Sequence, residues 1–319
     1  MMEMTLLKVH GSMNTFYMFE GEEREDYAQL AIQLSALDQD IDGILVILPS
    51  TCAHAKMRVF NNDGSEASMC GNGLRCVARY VCERDNVREA VIETMKALLR
   101  VKKEETIYEG IETYAVEISP VSFALSSLPM TYLNEDKWIQ QPLPFVSSEI
   151  PFTAVSVPNP HLIGVVSEVL QKDSSHQKKW AQYFNGPNDY FPDGVNVSYV
   201  TPVEKGIFVR TYERGVGFTN ACGTAMTASA LISCMSNLVP FGEVAVYNPG
   251  GLVKCTVDQT DDRISLQLSG NATYLATTTF EWTNRLKDSQ LLSTKDLQEQ
   301  AAYEKFIEQE TQFSTQFVL

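Results

Sequence analysis

Positive charge is scarce in this sequence: 25 Lys and Arg stand against 40 Asp and Glu, a formal net charge of −15. So acidic a chain is not built to hold nucleic acid or an anionic membrane surface, so neither is expected as a partner. An anionic small molecule remains open, because helix ends and one or two arginines decide its binding locally. Long apolar runs are missing too; the longest, residues 44–49, is far too short to cross a bilayer. The opening MMEMTLLKVHGSMNTF carries Glu3 early and has no long apolar core, so no secretory leader is expected. Seven cysteines, an odd number, fit a reducing cytoplasm in that setting. With no C-x2-C pair and no His-rich spacing, no metal is expected. The short Gly71-Asn72-Gly73 is too weak a signal for a nucleotide site.

What is present is a soluble composition, 44% hydrophobic and 20% charged over 319 residues, long enough for two domains with full cores. One stretch is written twice. Residues 57–80 read MRVFNNDGSEASMCGNGLRCVARY, and residues 209–230 read VRTYERGVGFTNACGTAMTASA. The shift that sets Cys70 on Cys222 also sets Arg58 on Arg210, Phe60 on Tyr212, Gly71 on Gly223 and Ala78 on Ala230. Each copy reads as a strand, a loop and a helix opening at its cysteine. A thiol at a helix start sees free N–H donors and the positive end of the macrodipole, both of which favour thiolate. Cys70 and Cys222 are therefore candidate proton-transfer groups or nucleophiles. Cys76, Cys82, Cys234 and Cys255 sit inside apolar segments and read as buried small hydrophobes. Two matched thiols suit inversion at carbon, where one abstracts a proton and the other donates to the opposite face. A cysteine hydrolase would need one cysteine and one histidine, leaving the second copy surplus.

Along the chain, residues 5–9 read as a strand ending in the turn His10-Gly11-Ser12-Met13-Asn14. Residues 22–37 have helical spacing, and 44–48 form a buried strand. The helix from Cys70 is apolar except for Arg75 and Arg79, four apart and so on one face. Residues 129–152, with four prolines, read as a loop and crossing. Pro158-Asn159-Pro160-His161 is the second counterpart of the turn at Asn14, followed by a polar helix over 171–183 and a strand over 195–200. No charged residue occurs in 215–242, so the helix from Cys222 must be buried all round. Strands flank both helices in sequence and other helices are few. The expected fold is α/β (α+β), with two pseudo-symmetric halves, each a curled, mainly antiparallel sheet wrapped around a central buried helix. The halves are expected at 1–122 plus about 271–282, and at 123–270. Residues 283–319 are expected as an appended Gln/Glu-rich helix with a frayed end.

The segments KVHGSMN at 8–14, FNNDGSEASMCGNGLR at 60–75, VPNPH at 157–161, GVNVSYV at 194–200 and YERGVGFTNACGTA at 212–225 resemble the diaminopimelate epimerase family. The resemblance covers roughly residues 5–282. It implies cofactor-independent interconversion of LL- and meso-diaminopimelate, in lysine and peptidoglycan precursor biosynthesis, with Cys70 and Cys222 as a thiolate/thiol pair. It implies a site in the cleft between halves, with Asn14, Asn61, Asn159, Asn196, Glu213 and Arg214 as substrate contacts. Gly71-Asn72 and Gly223-Thr224 would hold the reacting carboxylate, and His161 and Glu213 would tune thiol acidity. A homodimer is expected, with diaminopimelate as the small-molecule partner and no cofactor.

Three positions depart from the family pattern. Met13 stands where the first turn usually has its second glycine, and Phe218 and Ala225 replace a Glu and a Gly of the second loop. The readings that compete are a racemase of another amino acid with the same architecture, a non-catalytic amino-acid-binding protein and a thiol-redox protein.

Overall fold

The computed structural model describes residues 2–260, 263–283 and 289–314. Its chain divides into two units, Met1–Val116 with Ser269–Phe306, and Glu117–Leu268 with Ile307–Leu319.

In the first unit the strands are β1 (Met2–Gly11), β2 (Asn14–Glu20), β3 (Gly43–Leu48), β4 (Ala55–Asn61), β5 (Glu66–Ala67), β6 (Glu89–Glu93), β7 (Leu98–Lys103) and β8 (Thr113–Glu117), with helices α1 (Tyr27–Leu37) and α2 (Gly71–Asp85). The β1–β2 hairpin closes through Ser12 and Met13, both at positive φ (52° and 64°), between the paired Gly11 and Asn14. That is the mirror-image turn whose twist matches the flanking strands. Met13 is 43% exposed there, so the cost of losing glycine falls on the backbone, held in the left-handed region. β2 then pairs parallel with β3 across the crossover helix α1, and β3, β4 and β5 follow antiparallel. α2 leads to β6, parallel to β4, and β7 and β8 continue antiparallel.

The second unit repeats that order. Its strands are β9 (Gln141–Leu143), β10 (Ser147–Ser156), β11 (Pro160–Val165), β12 (Asn196–Val203), β13 (Gly206–Glu213), β14 (Gly217–Phe218), β15 (Gly242–Asn248), β16 (Gly251–Thr260) and β17 (Arg263–Asn271). Its helices are α3 (Glu168–Lys172), α4 (Ser174–Asn185) and α5 (Gly223–Met235). A hairpin (β10–β11), a parallel step across helices (β11–β12), an antiparallel pair (β12–β13) and a short return strand precede α5. β15 then runs parallel to β13 and antiparallel to β16.

The two central helices are enclosed. α2 packs on β1, β2, β3, β4, β6 and β7, and α5 on β11, β12, β13, β15 and β16. Every residue of α5 from Gly223 to Cys234 is buried, as a charge-free helix requires. The fold is thus the expected curled sheets around few helices. Cys76, Cys82, Cys234 and Cys255 lie buried in these cores, and burial pushes the Cys76 thiol up to about 12 and the Cys234 thiol to about 11.

Several element expectations need correction. Residues 22–26 are not helical: like charges crowd there, and Arg24 pairs with Asp26 and stacks over the Trp282 ring, 4.6 Å away. The polar helix over 171–183 is two helices, because Asp173 ends α3 and caps α4 by accepting the Ser175 N–H. Residues 129–152 contain β9 and the start of β10; prolines are tolerated there because β9 is a three-residue strand in which Pro142 faces Pro151.

The stretch from 283 onward is not one helix. After β18 (Thr273–Trp282), β19 (Gln290–Asp296) adds antiparallel to β18, and α6 (Gln300–Ser314) follows. β19 is almost wholly exposed, so no apolar alternation announced it. The end expected to fray, 315–319, lies outside the described residues.

Enclosure makes α5 sensitive to volume. Leu231→Ala, at a fully buried position, is expected to cost about 2–5 kcal/mol, read as a lower urea midpoint with unchanged slope.

Candidate functional site

Each enclosed helix ends in the same device. Cys70 and Cys222 hold extended backbone as the N-caps of α2 and α5, so each sulfur sits where the first helical N–H groups lack intrahelical partners. Gly73 N–H donates to Cys70 Sγ at 3.4 Å. Glycines at the first helical position of both helices leave the backbone open to a ligand.

In the first unit the Cys70 thiol donates to Asn14 Oδ1 at 3.5 Å, and Asn72 Nδ2 reaches the same oxygen at 3.5 Å. The Asn14 amide is fixed from its other end by Asp42, whose Oδ2 accepts from Asn14 Nδ2 at 2.7 Å and from Thr15 N–H at 2.8 Å. Asn72 Oδ1 accepts from Arg75, a fully buried guanidinium that also donates to Asn271 O and to Ser12 Oγ. The β1–β2 turn can approach α2 this closely only because residue 11 is glycine: a Cβ there would lie 2.6 Å from Asn72 O. Asn61 is exposed and donates to the Ser65 hydroxyl at 2.9 Å in the β4–β5 turn.

In the second unit Cys222 is 7% exposed, with Thr224 Oγ1 3.6 Å from its sulfur. Burial, and next the Glu213 carboxylate beside it, push this thiol well above its ordinary range. These oppose the helix start, which favours thiolate. Glu213 in turn accepts from the Thr219 hydroxyl at 2.6 Å. Asn196 is buried and its Oδ1 accepts the Arg214 N–H at 2.8 Å. Arg214 donates to Asp193 O at 2.8 Å, and among the described residues no carboxylate pairs with it. Asn159 lies in the β10–β11 turn, its carbonyl accepting from Val157 N–H. His161 is completely buried on β11 and neither ring nitrogen has a hydrogen-bond partner among the described residues. Burial and then the Arg214 charge lower it to about 3, so the ring is neutral.

The diaminopimelate epimerase family model matches residues 6–110 and 153–275. The chain belongs to the diaminopimelate epimerase family. It is 46% identical over 322 residues to a diaminopimelate epimerase of Listeria welshimeri, covering 96% of both chains. With that of Enterococcus faecalis it shares 41% over 323 residues, covering 96% of this chain and 98% of the other. Among solved structures, a Bacillus anthracis phenazine biosynthesis protein of the PhzF family superposes with TM-score 0.66 at 15% identity, covering 88% of this chain and 100% of that one. A hydroxyproline epimerase from Agrobacterium vitis superposes with TM-score 0.58 at 14% identity, covering 87% and 92%. These last two share the fold.

Several residues beside the two cysteines carry no sign of it in the sequence. Asp42, next to Gly43, and Thr219 have no distinguishing local context. Arg75 carried a signal, a cation inside an otherwise apolar helix, but was read only as sharing a face with Arg79.

The surroundings of Cys222 give a pH prediction. A negative neighbour opposes thiolate, so Glu213→Gln should let Cys222 ionise at lower pH. The pH profile of iodoacetamide alkylation at Cys222, followed by peptide mass spectrometry, should move to lower pH; a profile unchanged or moved up contradicts the assignment.

Proposed function

We propose that this member of the family epimerises LL-diaminopimelate to meso-diaminopimelate, without a cofactor, by proton transfer between Cys70 and Cys222. One observation carries the reading: a thiol caps the start of an enclosed helix twice, in two units of the same strand order, beside different groups. Inversion needs two groups, one removing the α-proton and one supplying a proton to the other face. Cys222, whose surroundings favour the protonated form, donates in one direction while Cys70 abstracts; the roles exchange for the other stereoisomer.

An α-proton next to a carboxylate is a weak acid, so the negative charge that develops must be stabilised. The helix starts at Gly71-Asn72 and Gly223-Thr224 offer N–H groups and positive dipole ends for it. Arg214, with no carboxylate partner among the described residues, is suited to a bidentate pair with the distal carboxylate of the substrate. Glu213 and the amides of Asn14, Asn61, Asn159 and Asn196 take the ammonium groups. His161, a neutral buried ring with both nitrogens unpartnered, tunes the thiol chemistry through its free lone pair.

The enzyme works in the cytoplasm, where seven free cysteines stay reduced, and as a homodimer. The reaction stands within the synthesis of lysine and of the peptidoglycan precursor.

Cys70→Ala and Cys222→Ala should each lower kcat for diaminopimelate by about a hundredfold or more, with far-ultraviolet circular dichroism unchanged. Near-normal turnover by either folded variant contradicts the two-thiol reading. Light scattering of the eluting protein should give twice the chain mass.

A further inference from the structure

The segment after β18 lies beyond the residues that the family model matches, yet it touches the first half-site. Glu299 forms a two-pronged ion pair with Arg79, through Nη1 at 2.6 Å and Nη2 at 2.8 Å, and also accepts the Tyr274 N–H. Arg79 lies on the same buried face of α2 as Arg75. One residue on, Gln300 Oε1 meets Nε2 of the buried His10 at 3.0 Å. Tyr303, fully buried, packs edge-on against His10 with ring centres 4.6 Å apart.

The contact at His10 fixes a proton. Gln300 donates its Nε2 to Glu304 at 3.3 Å, which turns Oε1 toward the imidazole. An oxygen there requires the hydrogen on His10 Nε2, leaving Nδ1 as an acceptor. Nδ1 accepts the Met13 N–H at 3.2 Å, and Asn271 Nδ2 approaches it at 3.2 Å. Asn271 Oδ1 accepts the neighbouring Ser12 N–H at 2.8 Å. Both strained residues of the β1–β2 turn are thereby held through their N–H groups, and the next residue is Asn14, whose oxygen meets the Cys70 thiol. With the proton on the other nitrogen, Nδ1–H would face the Met13 N–H and the turn would lose its anchor.

We infer that Gln300, with Tyr303 behind it, is a positioning residue: by holding His10 in one tautomer it fixes the Ser12-Met13 turn and so aims Asn14 at Cys70. The inference rests on the reading of Cys70 as a proton-transfer group. It gives the C-terminal segment a part in catalysis, although no atom of it need touch substrate.

The test compares full-length wild type, Gln300→Leu, Gln300→Glu, Tyr303→Phe and the exposed control Lys305→Ala. For each, kcat and KM for diaminopimelate are measured, together with iodoacetamide alkylation rates of Cys70 and Cys222 in the substrate-free protein. Gln300→Leu, which removes the acceptor, should lose about tenfold or more in kcat while KM changes by less than about threefold. Its Cys70 alkylation rate should change by about threefold or more with that of Cys222 unaltered, because only the first unit is disturbed. Gln300→Glu keeps an acceptor at the same place and should recover most of the loss. Tyr303→Phe should give the same Cys70-selective pattern more weakly, and it decides the matter if Gln300→Leu does not fold. Lys305→Ala should match wild type. Equal changes at both thiols, kcat within about twofold of wild type in Gln300→Leu, or no recovery in Gln300→Glu overturns the inference. Wild type inactive on diaminopimelate would overturn the proposed function instead, and the alkylation arm would still judge the positioning.

Discussion

A helix with strands on every side has one place where its backbone can meet a ligand, and that is its end. This constraint organises both units. α2 and α5 are packed too closely to present a side face, so what they leave open is their starts at Cys70 and Cys222, where N–H groups are left over by helix geometry. Enclosure also explains the residues around those ends. Small residues begin each helix, Gly11 lets a turn reach α2, and α5 carries no charge through its whole length.

The repeat preserves the frame and changes the surroundings. Cys70 sits half-buried beside amides, with Asn14 pinned from behind by Asp42. Cys222 sits buried beside Glu213, which disfavours its ionisation. Elsewhere the same divergence appears: Arg58 forms ion pairs with Glu66 and Glu23, while its counterpart Arg210 is buried on neutral Gln177. Two thiols in equal surroundings would hold their protons equally; unequal neighbours make them differ.

Much of this could be read from the chain. The matched cysteines, the charge-free stretch before Gly242 and the turn residues around Asn14 and Asn159 carry the helix starts and the two hairpins. Those signals are local in sequence, set by backbone geometry and burial. Other parts depend on contacts distant in sequence and leave no local trace. Exposed β19 shows no apolar alternation, and the link from Gln300 to His10 spans nearly the whole chain. Helix ends alone favour thiolate at both cysteines and do not distinguish them; the burial and the Glu213 neighbour that oppose ionisation at Cys222 are visible only in the fold.

The central claim is that two different thiols handle the two faces of one carbon. It is tested most directly by incubating protonated LL-diaminopimelate with the enzyme in deuterium oxide and following isotope in both stereoisomers at early times. Two separate acids and bases predict deuterium at the inverted α-carbon of the meso product, while recovered LL substrate stays protonated. Deuterium entering the recovered substrate as fast as the product forms would mean a single group exchanging with solvent, and would contradict the account.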